Sequence, residues 1–226
     1  MTAFKMTPPI FRVPGRDEPI STFGSYFSRS SSVIRELPLA MLDRVADVLC
    51  QAYEEGRSVF LFGNGGSASL ASHFACDLAK GTVTSNNLPK RFRVLSLADN
   101  MALMTAWAND TSYDQVFAEQ LRNFVQPGDV AFGISASGCS PNVLHALQAA
   151  REAGAVTVGL AGYQGGKLPT ICDYCIVIPS DNMQIIEDLQ LSIAHALFTV
   201  TRHRISTATA NNLCEHEPSA ALATAG

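Results

Sequence analysis

The chain of 226 residues is poor in charge, since 16% of its residues are Asp, Glu, Lys or Arg and an average globular protein has about 25%. Disordered chains combine much charge with few apolar residues, and a hydrophobic content of 47% excludes that class. The formal net charge of −4 lacks the basic excess that nucleic acids and anionic membranes attract. We therefore expect neither partner, and a chain that buries much of its surface in a core or in subunit contacts.

Long apolar runs are also missing. No stretch approaches the 18 residues of a membrane span, and the N-terminal residues lack the apolar core of a secretory signal, so we expect a cytoplasmic protein. The six cysteines are scattered and do not resemble the disulfide framework of a small secreted domain. Cys172 and Cys175 have CxxC spacing without a second such pair. Buried thiols are the expectation there, and a metal or redox pair is the alternative.

The middle of the chain alternates between two patterns. Short apolar runs rich in β-formers occupy 59–62, 92–97, 130–134, 156–160 and 175–178. Helical patterns occupy 37–55, 66–79, 114–124, 141–153 and 183–204. This alternation predicts an α/β fold, a three-layer α/β/α sandwich with a central five-stranded parallel sheet. In such sheets ligands bind beyond the carboxyl ends of the strands.

Two segments frame this predicted domain, which spans 21–205. Residues 1–20 carry several prolines and predict an irregular N-terminal arm. From residue 206 to residue 226 the apolar periodicity is lost, which predicts a flexible C-terminal tail.

The first predicted strand runs into a glycine-rich loop, residues 63–68 (GNGGSA), and then directly into a helix. Glycines let a ligand approach the main chain, where the amides and the positive dipole end of the helix attract anions. The loop lacks the lysine of a P-loop and the third glycine of a dinucleotide fingerprint, which excludes both nucleotide sites. A plain tight turn is the alternative.

The third predicted strand ends in a serine-rich loop, residues 135–140 (SASGCS), before Pro141 begins a helix. Ser140 suits a helix cap, so the alternative is that it only caps and that the other hydroxyls are incidental. The two loops together offer many neutral hydrogen-bond donors and few cations. They predict a site for a phosphate monoester carried by a polyol, that is, a sugar phosphate.

The ordered motifs resemble the sugar isomerase (SIS) domain family, and within it the phosphoheptose isomerases. Besides the two loops they comprise 73–77 (HFACD), 108–110 (AND), 162–166 (GYQGG), 178–181 (IPSD) and 194–195 (AH). The resemblance implies a five-stranded α/β/α fold and a homotetramer with active sites shared between subunits, with zinc in several members. It also implies the interconversion of sedoheptulose 7-phosphate and a heptose 7-phosphate.

The resemblance places the catalytic base of this aldose–ketose isomerisation at Asp77 and its acid partner at His195. Such a reaction moves a proton between adjacent carbons through an enediol and needs one base and one acid. The family has glutamate at position 77, so the carboxylate here sits about 1.3–1.5 Å further back. Misplacement on this scale costs around 100-fold in rate unless the backbone or the substrate compensates. A merely ion-paired carboxylate is the alternative.

The metal ligands implied by the resemblance are His73, Asp77, Glu187 and His195, with zinc as the expected ion. His73 and Asp77 stand at i and i+4 and share a helix face, which suits joint coordination. Glu187 replaces the glutamine common in the family. Eight residues of helix span about 12 Å, so Glu187 and His195 meet one ion only if Glu187 lies in the first turn or reaches along the groove.

The same match assigns a sugar-phosphate pocket. Its members are Asn64, Gly65, Gly66, Ser67, Asn109, Asp110, Ser135, Ala136, Ser137, Ser140 and Glu187. Two rival functions stay open at this point, because the residues at 77 and 187 depart from the family. One is a non-catalytic SIS module that binds a phosphosugar or a protein partner, and the other is an isomerase of a different sugar phosphate.

Overall fold

The computed structural model of the protein describes residues 20–83 and 90–215, with side chains up to residue 208. Its five strands form one sheet in the order β2-β1-β3-β4-β5, and every neighbouring pair is parallel. The strands are β1 (Ser58–Gly63), β2 (Arg93–Ser96), β3 (Val130–Ile134), β4 (Val156–Ala161) and β5 (Tyr174–Val177). The predicted five-stranded parallel sheet is therefore confirmed.

The helices connect these strands. They are α1 (Phe23–Arg35), α2 (Leu39–Glu55), α3 (Gly66–Cys76), α4 (Met101–Asp110), α5 (Ala118–Phe124), α6 (Pro141–Glu152), α7 (Leu168–Ile171) and α8 (Met183–Glu215). A π-helical turn (Asp77–Gly81) follows α3, and a 3₁₀ turn (Tyr113–Gln115) lies between α4 and α5.

Helices cover both faces of the sheet, which gives three layers. On one face Leu49, Phe74 and Ile193 from α2, α3 and α8 form one core with the strands. On the other face Leu121 and Leu147 from α5 and α6 form a second core. All five residues of β3 are buried, as expected for a central strand that is covered on both sides.

The structure differs from the predicted boundaries at several elements. The helix α1 was not predicted. The helix expected at 66–79 ends as a π-helical turn that begins at Asp77. The helix expected at 114–124 is instead a 3₁₀ turn followed by α5. α8 continues to Glu215, so it includes the first ten residues of the predicted tail, 206–215. The hydroxyls of Ser206 and Thr207 bond back to carbonyl oxygens one turn earlier, at 2.9 and 3.0 Å, which suits a continuing helix. Residues 1–19 and 216–226, and with them most of both predicted terminal segments, lie outside the described residues.

Candidate active site

The two predicted ligand loops start side by side, because β1 and β3 are neighbours and Gly63 is paired with Ile134 at their carboxyl ends. Gly63 is required at this junction. A Cβ atom there would lie 2.7 Å from both the carbonyl oxygen of Ile134 and Cβ of Ser67. Gly65 has φ 55° and ψ −121°, a conformation that is open to glycine and lets the chain turn into α3. Ser67 is buried against the strand end, at 8% exposure.

The serine-rich loop places its hydroxyls together. Ser135 Oγ lies 3.0 Å from Ser140 Oγ and 3.5 Å from Ser137 Oγ. Ser140 makes no side-chain cap hydrogen bond to α6, so capping does not account for its hydroxyl. The cluster, with backbone amides nearby, is suited to bind an anion through neutral donors.

This loop rests directly on the segment 162–166 that follows β4. The amides of Gly162 and Lys167 donate to the carbonyl oxygens of Ala136 and Gly138, each at 2.9 Å. Gly138 has φ 64°, and a Cβ atom there would lie 1.9 Å from the carbonyl oxygen of Gly165. The conformation of the serine-rich loop therefore depends on two backbones in close approach.

A second group of functional side chains lies where α3 passes α8. His195 Nδ1 is 3.0 Å from Asp77 Oδ2, and His73 Nε2 is 3.8 Å from the same oxygen. The two imidazole rings meet edge to face with centroids 4.8 Å apart. One ligand atom of each residue falls within 4.8 Å of the others, an arrangement that can hold a metal ion. We call His73, Asp77 and His195 the His–Asp–His cluster.

Glu187, the fourth predicted ligand, lies apart from this cluster. Its carboxylate is beside the first turn of α3, because a Cβ atom at Gly66 would be 3.3 Å from Glu187 Oε1. A groove of about 230 Å³ between α3 and α8 is lined by Gly66, His73 and Glu187. Glu187 and His195 are eight positions apart in α8, which places these side chains at different levels of the groove, about 12 Å apart along the helix.

Comparison with known proteins identifies the family. The SIS domain profile matches residues 22–162. The phosphoheptose isomerase of Pelobacter propionicus is 38% identical over 164 residues, which is 72% of this chain and 84% of that protein. That of Paramagnetospirillum magneticum is 35% identical over 181 residues, 80% of this chain and 91% of that protein. The chain belongs to the phosphoheptose isomerase family of SIS-domain proteins.

A solved structure agrees with this membership. The phosphoheptose isomerase of Neisseria gonorrhoeae superposes with a TM-score of 0.73 at 27% identity, covering 79% of this chain and 95% of that one. The recognised family and its α/β fold are thus confirmed. Within the described residues, none of the helices is long and apolar enough to cross a membrane.

The remaining predicted pocket residues of this family member lie at the end of α4. Asn109 Nδ2 donates to Asp110 Oδ1 at 2.8 Å, and both residues are exposed. Sequence reasoning missed two hydrogen-bond partners of Asn64, the side chains of Asn142 and Tyr113. Asn142 does belong to the motif that continues the serine-rich loop, which was the available signal.

The CxxC pair does not contribute to the candidate site. Cys172 and Cys175 are free thiols that lie under Gly159, where a Cβ atom would be 3.1 and 3.3 Å from the two sulfurs. Burial raises the pKa of Cys172 to about 12 and that of Cys175 to about 11, which disfavours the thiolate that metal binding and redox exchange need. Both cysteines are partly buried, and their raised pKa values favour unreactive thiols over a metal or redox pair.

Proposed function

We propose that the chain converts sedoheptulose 7-phosphate into a heptose 7-phosphate by moving a proton between adjacent carbons. The observation that carries this proposal is the pairing of His195 with Asp77 across α3 and α8 in a phosphoheptose isomerase fold, at 3.0 Å. A carboxylate and an imidazole in contact supply the base and the acid that enolisation needs. The serine-rich loop supplies the neutral donors for a phosphate.

The phosphate-binding role rests on three hydroxyls. Ser135, Ser137 and Ser140 lie at the carboxyl end of β3 and at the start of α6, where the helix dipole favours an anion. The close packing of Gly138 on Gly165 fixes this loop before a ligand arrives, so little ordering is needed on binding.

In the proton transfer, Asp77 removes a proton from the hydroxyl-bearing carbon next to the carbonyl carbon, and His195 gives a proton to the carbonyl oxygen, which forms the enediol. Asp77 then returns its proton to the former carbonyl carbon while His195 takes back the proton of the neighbouring hydroxyl group. Both imidazoles contact Oδ2 of Asp77, and among the described residues Oδ1 makes no hydrogen bond. Oδ1 is therefore available as the proton acceptor. Because Nδ1 of His195 faces the carboxylate, its Nε2 is left for the sugar.

The His–Asp–His cluster fits a zinc ion, which the family implies. It offers two imidazole nitrogens and a carboxylate oxygen, the donor types that zinc prefers, and catalytic zinc sites use three protein ligands. The side chains are 50%, 21% and 46% exposed, so an ion can enter. A bound zinc would polarise the sugar oxygens. Glu187 could bind the same ion only if its side chain reached along the groove from its position beside Gly66.

We further propose a homotetramer in which the His–Asp–His cluster of one subunit completes the site of another subunit. That site is formed by the glycine-rich loop (63–68) and the serine-rich loop (135–140), which we call the phosphate loops. Within one chain, α3 rises about 16 Å from Gly66 at the phosphate loops to Asp77, a long way for one substrate to span. Large apolar side chains on the helix surfaces also lack cover, including Phe23 at 87%, Leu39 at 67% and Met101 at 73% exposure. These surfaces fit subunit contacts.

Complementation tests the shared site. Subunits carrying Asp77→Asn and subunits carrying Ser137→Ala with Ser140→Ala are each expected to be inactive alone. Mixed after dissociation and reassembly, they should regain part of the wild-type turnover, because some sites then combine an intact loop with an intact cluster. The two variants carry different affinity tags, so that hetero-oligomers can be isolated by purification on both tags in turn. No recovery of turnover in hetero-oligomers isolated in this way would contradict sharing.

The function itself is tested by incubating the purified protein with sedoheptulose 7-phosphate and following aldose formation, with and without added zinc. Ketose 6-phosphates run in parallel distinguish a family member with another substrate. Binding of sedoheptulose 7-phosphate without turnover, in both zinc conditions, would overturn the proposal and favour the non-catalytic binding module.

We also propose a cytoplasmic location. The five cysteines whose side chains are described are all free thiols, as expected in a reducing compartment. Cell fractionation tests this, and recovery of the protein in a periplasmic or membrane fraction would contradict it.

A further inference from the structure

Two asparagines join the glycine-rich loop to the start of α6, directly after the serine-rich loop. Asn64 Nδ2 donates to Asn142 Oδ1, and Asn142 Nδ2 donates to Asn64 Oδ1, both at 2.8 Å. Asn142 is 1% exposed, so neither loop can separate from the other without leaving a buried amide unpaired. The pair fixes the spacing between the end of β1 and the start of α6.

A tyrosine from a third segment extends this pair. The hydroxyl of Tyr113 donates to Asn64 Oδ1 at 2.9 Å. A carbonyl oxygen has two lone pairs, and both lone pairs of Asn64 Oδ1 are now used. One N–H of the Asn64 amide remains for a ligand, so the side chain of this predicted pocket residue mainly serves the protein itself.

Tyr113 also determines where the end of α4 lies. It follows Asp110 by three residues, which limits their separation to about 11 Å of extended chain. None of the residues of α4 is fully buried, and the helix packs on the second core only through the partly buried Met104, Trp107 and Ala108, so an additional contact at its end contributes to its position. The 3₁₀ turn also contacts α6 through His145. Its Nδ1 atom lies 3.1 Å from Gln115 Nε2 and 3.2 Å from the carbonyl oxygen of Asp114.

We propose that Tyr113 and Asn142 are positioning residues that act through Asn64 to hold Asn109 and Asp110 beside the phosphate loops. Their effect on the reaction rests on the proposed function, in which Asn109 and Asp110 bind sugar hydroxyls. Neither positioning residue has to touch the substrate, since each bonds to a side chain of the loop after β1.

The primary test is Tyr113→Phe, which removes one hydroxyl from a side chain that is 54% exposed and leaves the folded core intact. Tyr174→Phe is the matched control, because Tyr174 lies at the amino end of β5, away from the loops. Backbone amides at 109–116 should exchange with deuterium about fivefold faster in Tyr113→Phe, the effect of losing one neutral hydrogen bond. The KM for sedoheptulose 7-phosphate should rise about fivefold while kcat changes less than twofold.

Asn142→Ala and the double variant test the route through Asn64. Asn142→Ala should raise KM at least as much as Tyr113→Phe does. Because both partners bond to the same oxygen, the double variant should raise KM by less than the product of the single effects. A product that is fully multiplicative would contradict action through Asn64.

The outcomes separate this inference from the proposed function. If amide hydrogen exchange at 109–116 is unchanged in Tyr113→Phe, the inference is contradicted, regardless of the enzyme's activity. Faster amide exchange together with an unchanged KM also contradicts it. Absence of turnover by the wild-type protein contradicts the proposed function alone. In that case the dissociation constant of sedoheptulose 7-phosphate replaces KM in the same comparison.

Discussion

Substitution of Gly138 by alanine tests how far the serine-rich loop depends on its contact with the segment 162–166. The new Cβ atom would lie 1.9 Å from the carbonyl oxygen of Gly165, and ordinary contact begins at 3.4 Å, so the backbones must separate by about 1.5 Å. Displacement of a positioning group by about 1 Å can cost around 100-fold in rate. Since Ser137 and Ser140 flank Gly138, we expect kcat/KM to fall about 100-fold.

The control isolates the backbone strain. Gly56 has φ 68°, close to the 64° of Gly138, but an added Cβ there would meet nothing within 4 Å. Gly56→Ala should lose about 1 kcal/mol of unfolding free energy and keep its activity within about twofold. Both variants are compared by thermal unfolding and by turnover of sedoheptulose 7-phosphate. If Gly138→Ala kept a kcat/KM within about threefold of Gly56→Ala, the close approach would not matter to the site.

Two further predictions concern the acidic and thiol side chains. Asp77→Asn should abolish turnover and leave the binding of sedoheptulose 7-phosphate within about threefold of wild type, because it removes the proposed base. The control Asp43→Asn breaks an exposed 2.7 Å ion pair with Arg204 and should leave kcat unchanged. Residual turnover above about 1% in Asp77→Asn would contradict the role of Asp77. Because burial raises their pKa values to about 12 and about 11, Cys172 and Cys175 should react with iodoacetamide at pH 8 more slowly than exposed Cys76. The rate of each should rise at least about 100-fold between pH 8 and its own pKa; equal labelling of the three cysteines at pH 8 by mass spectrometry would refute this.

The sheet could be predicted from the sequence because its central strands are buried on both faces. Such strands appear as uninterrupted apolar runs between helical patterns, and the run at 130–134 coincides with β3. The helix α1 (Phe23–Arg35) was missed although Thr22 suits an N-cap and apolar residues recur at helical spacing, at 23, 26, 27, 33 and 34. What the sequence does not show is the contact of α1 with α8, which is distant in sequence. Tyr26 in α1 donates to Asp188 in α8 at 2.5 Å across 162 residues.

The same distinction between local and distant contacts applies to the candidate site. His73 and Asp77 could be paired from their spacing on one helix, since the i and i+4 positions meet through local geometry. His195 is 118 residues from Asp77, so only the family resemblance indicated that pairing. The bond between Asn64 and Asn142, 78 residues apart, depends on the neighbouring positions of β1 and β3 in the sheet, which the sequence does not specify residue by residue.

The most direct test of the account is a crystal structure of the assembled protein with bound sedoheptulose 7-phosphate. The account predicts the phosphate on the hydroxyls of Ser135, Ser137 and Ser140, with an Asp77 carboxylate oxygen about 3–3.5 Å from the carbon that loses its proton. A phosphate bound elsewhere, or every Asp77 of the assembly remote from the sugar, would contradict it.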